Sequence, residues 1–196
     1  MLKRASITLR IVSILSFAIL ASHLASASTL AADAFELKKS DHIAYIGNTL
    51  PDRMQHHGWL ETYIQSLFPE HDLTFRNLGF SGDEVKTRTR SDNFGSADEW
   101  LTKVKADVIF AFFGYSESLR GAEGLAGFRS DLAEMIDGLL AQKYNGESAP
   151  RLVVFSPLAH EDLESPHLPD GSDNNARLAV YTQAMKEVCA EKKIRF

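Results

Sequence analysis

The sequence predicts an α/β fold, a three-layer α/β/α sandwich built around a parallel sheet. Three observations point there. Strand-like apolar runs alternate with amphipathic helical patterns along the chain. The strongest run, "ADVIFAFFG" (106–114), is apolar almost throughout, as a strand covered on both faces is. The chain has 196 residues, 44% of them hydrophobic, which suits one domain with a sizeable core.

Each element has its own signal. "HIAYIG" (42–47) reads as a buried strand, and "HGWLETYIQSLF" (57–68) as a helix with Trp59, Tyr63, Ile64 and Leu67 on one face. "LTFRNLG" (73–79) is a second strand, followed by a polar loop to about residue 95. Ser96 with Glu99 makes a capping-box pattern, so a short helix runs through Lys105. After the 106–114 strand, Leu125, Phe128, Leu132, Met135, Ile136 and Leu139 recur at helical spacing between Gly124 and Lys143. "RLVVFSPL" (151–158) is the fourth strand. Asp173 or Asn174 is the expected cap of a helix bearing Leu178, Tyr181, Met185 and Val188. The closing "IRF" opens a fifth strand.

Lys3, Arg4 and Arg10 precede the apolar "IVSILSFAILA", and Ala25-Ser26-Ala27 offers a small-residue cleavage site. The apolar run spans 11 residues, short of the ~20 that a membrane-spanning helix needs. We therefore expect a signal peptide over 1–27 and a mature, exported domain over 28–196, without membrane attachment after cleavage. Losing three basic residues takes the formal charge from −5 to −8. That acidity argues against a nucleic-acid partner. Lys86, Arg88 and Arg90 sit among Asp83, Glu84 and Asp92, a mixture that reads as a solvated loop. Cys189 is the only cysteine, so no internal disulfide can form, and its helical setting suggests a buried apolar role. Trp59 and Trp100, in helical patterns, read as core or boundary residues.

In a parallel α/β sheet, ligands bind at the carboxyl ends of the strands. Here those ends read Gly47-Asn48-Thr49-Leu50, Asn77-Leu78-Gly79 and Gly114-Tyr115-Ser116-Glu117. From about residue 40 to 196, their order and spacing resemble the SGNH or GDSL hydrolase superfamily, which has a flavodoxin-like fold. The wording is also similar to an exported, planctomycete-like branch that carries "GNT" at the first block. The resemblance implies an ester hydrolase acting on acyl or acetyl esters, including esters on carbohydrate, without metal or organic cofactor. It puts Thr49 at the nucleophile position, Gly79 at an oxyanion-hole glycine, and Ser116 at an oxyanion-hole asparagine. Asn48 replaces the aspartate of the first block, and Glu117 stands where an aspartate follows the asparagine. Both are expected on the substrate-binding side.

Threonine can attack a carbonyl, but its methyl crowds the hydroxyl and restricts χ1. Serine is shorter than asparagine, and losing an oxyanion donor costs on the order of 100- to 1000-fold in turnover. The family's D-x-x-H block follows a fifth strand, whereas this sequence reaches Phe196 inside that strand. The expected base is then a histidine in a longer product, or His160 in "SPLAHED", which follows the fourth strand on the site side. A loop histidine with a purely structural hydrogen bond is the alternative reading of His160. His56 and His57 are neighbours that point different ways, and the His160–His167 loop has no metal-site spacing. The rival functions are a catalytically impaired ligand- or glycan-binding module and an incomplete fragment of a larger hydrolase-domain protein. Oligomeric state is not legible.

Overall fold

The computed structural model describes residues 35–196, so the expected signal peptide lies outside the described residues. The strands are β1 (His42–Gly47), β2 (Thr74–Asn77), β3 (Val108–Phe112) and β4 (Arg151–Phe155). Among the described residues they form one parallel sheet in the order β2-β1-β3-β4. Arg195, in the closing "IRF", makes a parallel bridge to Val153 on the outer side of β4. The helices are α1 (Thr49–Met54), α2 (Trp59–Leu67), α3 (Ala97–Lys103), α4 (Tyr115–Ser118), α5 (Gly121–Leu140) and α6 (Ser172–Glu191).

The strand period of two divides the apolar residues between two cores. Ala44, Ile46, Ile109, Ala111, Phe113, Leu152 and Val154 face the core shared with Leu101 of α3, α5 and α6. Ile43, Tyr45, Val108, Phe110, Phe112 and Val153 face the other, against Leu37 and Ile64, with Leu50, Met54, Leu60 and Phe68 at its edge. Aromatic rings fill this second core: Phe112 stacks on Phe155 at 4.5 Å and Tyr45 on Phe110 at 5.7 Å. These are the three layers.

Register carries the consequence for function. Gly47 pairs with Phe112 and Phe112 with Phe155, so three strands end level with one another. The residues just beyond, Asn48-Thr49, Gly114-Tyr115 and Ser156-Pro157, therefore converge at one end of the sheet.

Three local expectations need correction. Trp59, Tyr63 and Leu67 are exposed, and of the residues expected on that face only Ile64 is buried. The α2 stripe that packs is Leu60-Ile64 with Phe68, one step round the helix. The cap of α6 is Gly171 in a left-handed conformation, not Asp173 or Asn174. Arg88 and Arg90 are half-buried rather than solvated. By contrast, Ser96 and Glu99 do form the capping box of α3, and Cys189 is fully buried.

Candidate active site

The site begins at the turn that follows β1. Gly47 has φ 140°, and a Cβ there would stand 2.1 Å from the Phe112 carbonyl oxygen, so only glycine lets β1 run this close to β3. The Asn48 N–H then donates to that same carbonyl at 3.1 Å. The Asn48 side chain is buried and caps α1, its Oδ1 accepting the Leu50 N–H at 3.2 Å. Thr49 is thereby the first residue of α1 and is exposed, with its own N–H left without an intrahelical acceptor.

Across from it, residues 156–160 leave the end of β4. Thr49 and His160 line the same cavity, of about 360 Å³, with Asn48, Leu50, Phe112, Tyr115 and Leu158 among its walls. His160 is held from several sides. Asn175 brackets its backbone, Oδ1 accepting the His160 N–H at 2.7 Å and Nδ2 donating to the His160 carbonyl at 2.9 Å. Its ring lies against Gly171 so closely that a Cβ there would come within 2.8 Å. Asn174, buried, stands with Nδ2 3.5 Å from His160 Nδ1 and 3.2 Å from the Tyr115 hydroxyl, to which it donates. Its Oδ1 is buried with no hydrogen-bond partner among the described residues. The Asp170 carboxyl is held below the usual carboxylate range, chiefly by the N–H and hydroxyl of Ser172, with the charge of nearby His160 adding to the effect.

Asn174 and Asn175 were missed as site residues. The doublet follows "GSD" where a helix start is expected, and a capping role hid its tertiary one.

The other expected residues are placed differently. The Gly79 N–H already donates to Asn77 Oδ1 at 2.9 Å, while Asn77 Nδ2 donates to the Pro51 carbonyl at 2.5 Å. Gly79 lines a second cavity, whose walls do not include Thr49 or His160. Ser116 is half-buried in the first turn of α4 and is not on the Thr49 cavity wall. Glu117 does not face the Thr49 cavity either. It is buried, its Oε1 accepting the Val85 N–H at 2.8 Å and its Oε2 the Gly114 N–H at 2.9 Å. Burial raises its carboxyl pKa, against the lowering effect of those bonds. Its role is to tie the 80s loop to the turn after β3. Among the described residues no group of three or more His, Cys, Asp or Glu converges as a metal site.

No family model matches the chain, and no curated protein does. Solved structures share its fold. It is similar to a gut microbial diltiazem-metabolizing enzyme at 16% identity and TM-score 0.58, over 82% of this chain and 37% of that one. It therefore spans little more than a third of that protein's length. It is also similar to an acetyl xylan esterase at 13% identity and TM-score 0.56, over 79% of this chain and 75% of that one. A provisional SGNH hydrolase from Slackia heliotrinireducens aligns at 12% identity and TM-score 0.50, over 80% and 77%. At such identities the likeness shows the fold, and the chemistry must be argued from the site.

Proposed function

We propose that this protein is an SGNH-type ester hydrolase in which Thr49 is the nucleophile and His160 its base. The single observation that carries the reading is that the two side chains line one cavity at the carboxyl end of the sheet. The esterase names of structures with the same fold support it. In the proposed reaction Thr49 Oγ1 attacks the ester carbonyl carbon and its proton passes to the His160 imidazole. The alcohol leaves with that proton. Water, deprotonated by the same imidazole, then attacks the acyl-threonine; the acid leaves and the imidazolium returns the proton to Thr49 Oγ1. The Thr49 N–H is the nearest donor for the oxyanion, and the Ser116 hydroxyl and the Gly79 N–H are further candidates. Gly79 would first have to release Asn77 Oδ1.

Asn174 is the positioning residue for the base. With its carboxamide turned end for end, the oxygen accepts the Nδ1–H of His160 and the Tyr115 hydroxyl proton. Nε2 is then the unprotonated nitrogen, as a general base requires. We propose acyl or acetyl esters as substrates, including esters on carbohydrate, and an exported enzyme after cleavage behind Ala27.

A second reading, a binding module without turnover, is favoured by the committed Gly79 N–H and by Ser116 lying off the cavity wall. Hydrolysis of short-chain p-nitrophenyl esters separates the two. Turnover lost in Thr49→Ala and kept or raised in Thr49→Ser establishes the nucleophile. A well-folded protein with no turnover, not restored by serine, leaves the binding module.

A further inference from the structure

A second cavity, of about 320 Å³, opens beside Gly79, and its walls include Phe80, Asp83, Arg88, Arg90, Phe94 and Trp100. That volume is in the range of small-molecule sites. Its charges are unevenly matched. Arg90 grips the buried Asp83 with both terminal nitrogens, at 2.6 and 2.7 Å, and its guanidinium lies 4.2 Å from the centroid of Phe80. That pair is neutral and geometrically complete.

Arg88 has no such partner. It makes no ion pair among the described residues. Its Nη2 reaches Met135 Sδ at 3.9 Å, a weak acceptor, and its guanidinium carbon lies 5.4 Å from the Phe113 ring centroid. Asp98, the other carboxylate near enough to act on it, accepts the Tyr144 hydroxyl at 2.5 Å and makes no ion pair with Arg88. Burial is the largest influence on Arg88 and lowers its pKa. Two cations and one carboxylate on the wall leave a net charge of +1. The half-buried Arg88 guanidinium keeps donors that no protein carboxylate takes, and an anion entering the cavity would meet them. Its planar fork matches a carboxylate, and the flanking rings of Phe80, Phe94 and Trp100 match a flat apolar body.

We propose that this cavity binds a small aromatic monocarboxylate of the benzoate or cinnamate class, with its carboxylate on Arg88 and its ring among Phe80, Phe94 and Trp100. This does not depend on the hydrolase reading, and the test needs no turnover.

Calorimetric titration of the purified protein with cinnamate should give saturable binding. Cinnamamide, which keeps the ring and loses the charge, should bind about ten-fold more weakly or worse, and Arg88→Gln should weaken cinnamate by a similar factor. Phe80→Ala should also weaken it, while Lys86→Ala, which changes an exposed neighbour paired with Asp131 and Glu134, should not. If Arg88→Gln fails to fold, the decision passes to Phe80→Ala and to Trp100 quenching in a Trp59→Phe background; Phe80 and Trp59 are exposed enough to change without loss of the core. The proposal is overturned if folded protein shows no saturable cinnamate binding, or if the amide binds as well as the acid. Inorganic phosphate binding more tightly than cinnamate would overturn it too, as would binding and Trp100 quenching indifferent to these wall substitutions.

Discussion

The Thr49 cavity and the Arg88 cavity open from the same end of the sheet but hold their polar groups in opposite ways. In the first, a neutral hydroxyl and an imidazole are fixed by main-chain clamps and carboxamides, through Asn48, Asn174 and Asn175. In the second, guanidinium groups are fixed by a carboxylate and by aromatic planes. The difference fits the two proposed roles. A group that takes and returns a proton must be held in place without being locked in one charge state. A group that recognises an anion is best kept permanently charged.

Gly47 supports residues of both cavities: its carbonyl accepts the Phe80 N–H at 2.9 Å, and Asn48 and Thr49 follow it in sequence. Gly47→Ala should therefore have the largest effect, because it adds a clash with the Phe112 carbonyl to a backbone that disfavours side chains. We expect a loss of about 3 kcal/mol or more in urea unfolding, and failure of both sites together. A variant with unchanged stability would refute a shared, glycine-dependent turn.

Next in size comes His160→Ala. It should lower ester turnover by about 100- to 10,000-fold without altering the fold or the Arg88 cavity. A decrease of only about two-fold would remove His160 from the chemistry.

Asn174→Asp sharpens the comparison by putting a permanent charge beside the imidazole. A carboxylate there stabilises the protonated ring. The unprotonated base then appears only at higher pH, and the rising limb of the pH–rate profile should move up by about one pH unit or more. Asn174→Ala should lower kcat with a smaller displacement of that limb. An NMR titration of the His160 ring reads the same shift without turnover. If Asn174→Asp leaves both unmoved, the carboxamide does not govern the imidazole.

These contrasts mark how far the sequence reaches. The alternation of elements was legible because burial on both faces forces nearly continuous apolar strands, and β1 has the bounds expected from its pattern. The fourth strand is shorter than its apolar run, 151–155 instead of 151–158. Periodicity assigned Trp59, Tyr63 and Leu67 to one face of α2 correctly but could not say that the face is turned outward. Thr49 and His160 could be named because strand ends are where α/β sites form. Arg88 could not, since acids lie close to it in sequence, while Phe113 beneath its guanidinium and Trp100 across its cavity are brought in by the fold. Glu117 was placed on the substrate side because two backbone amides that claim a carboxylate leave no trace in residue types.

The smallest expected effect concerns the face that opens on neither cavity. Cys189 is fully buried between α6 and the sheet, and burial pushes its thiol up to about 11. A raised value means the neutral thiol persists through neutral pH, with roughly one thiolate in a thousand at pH 8. Access is closed as well, because α5 and α6 pack over this core. A thiol-specific disulfide reagent at pH 8 should therefore react negligibly with the native protein and with one equivalent after unfolding in guanidinium. Substituting the residue would confuse packing with access, so the unmodified protein is the better probe. Native reaction at the rate of a free thiol would mean that the α5–α6 layer opens readily. The contrast between a closed helical face and an open strand-end face would then fail.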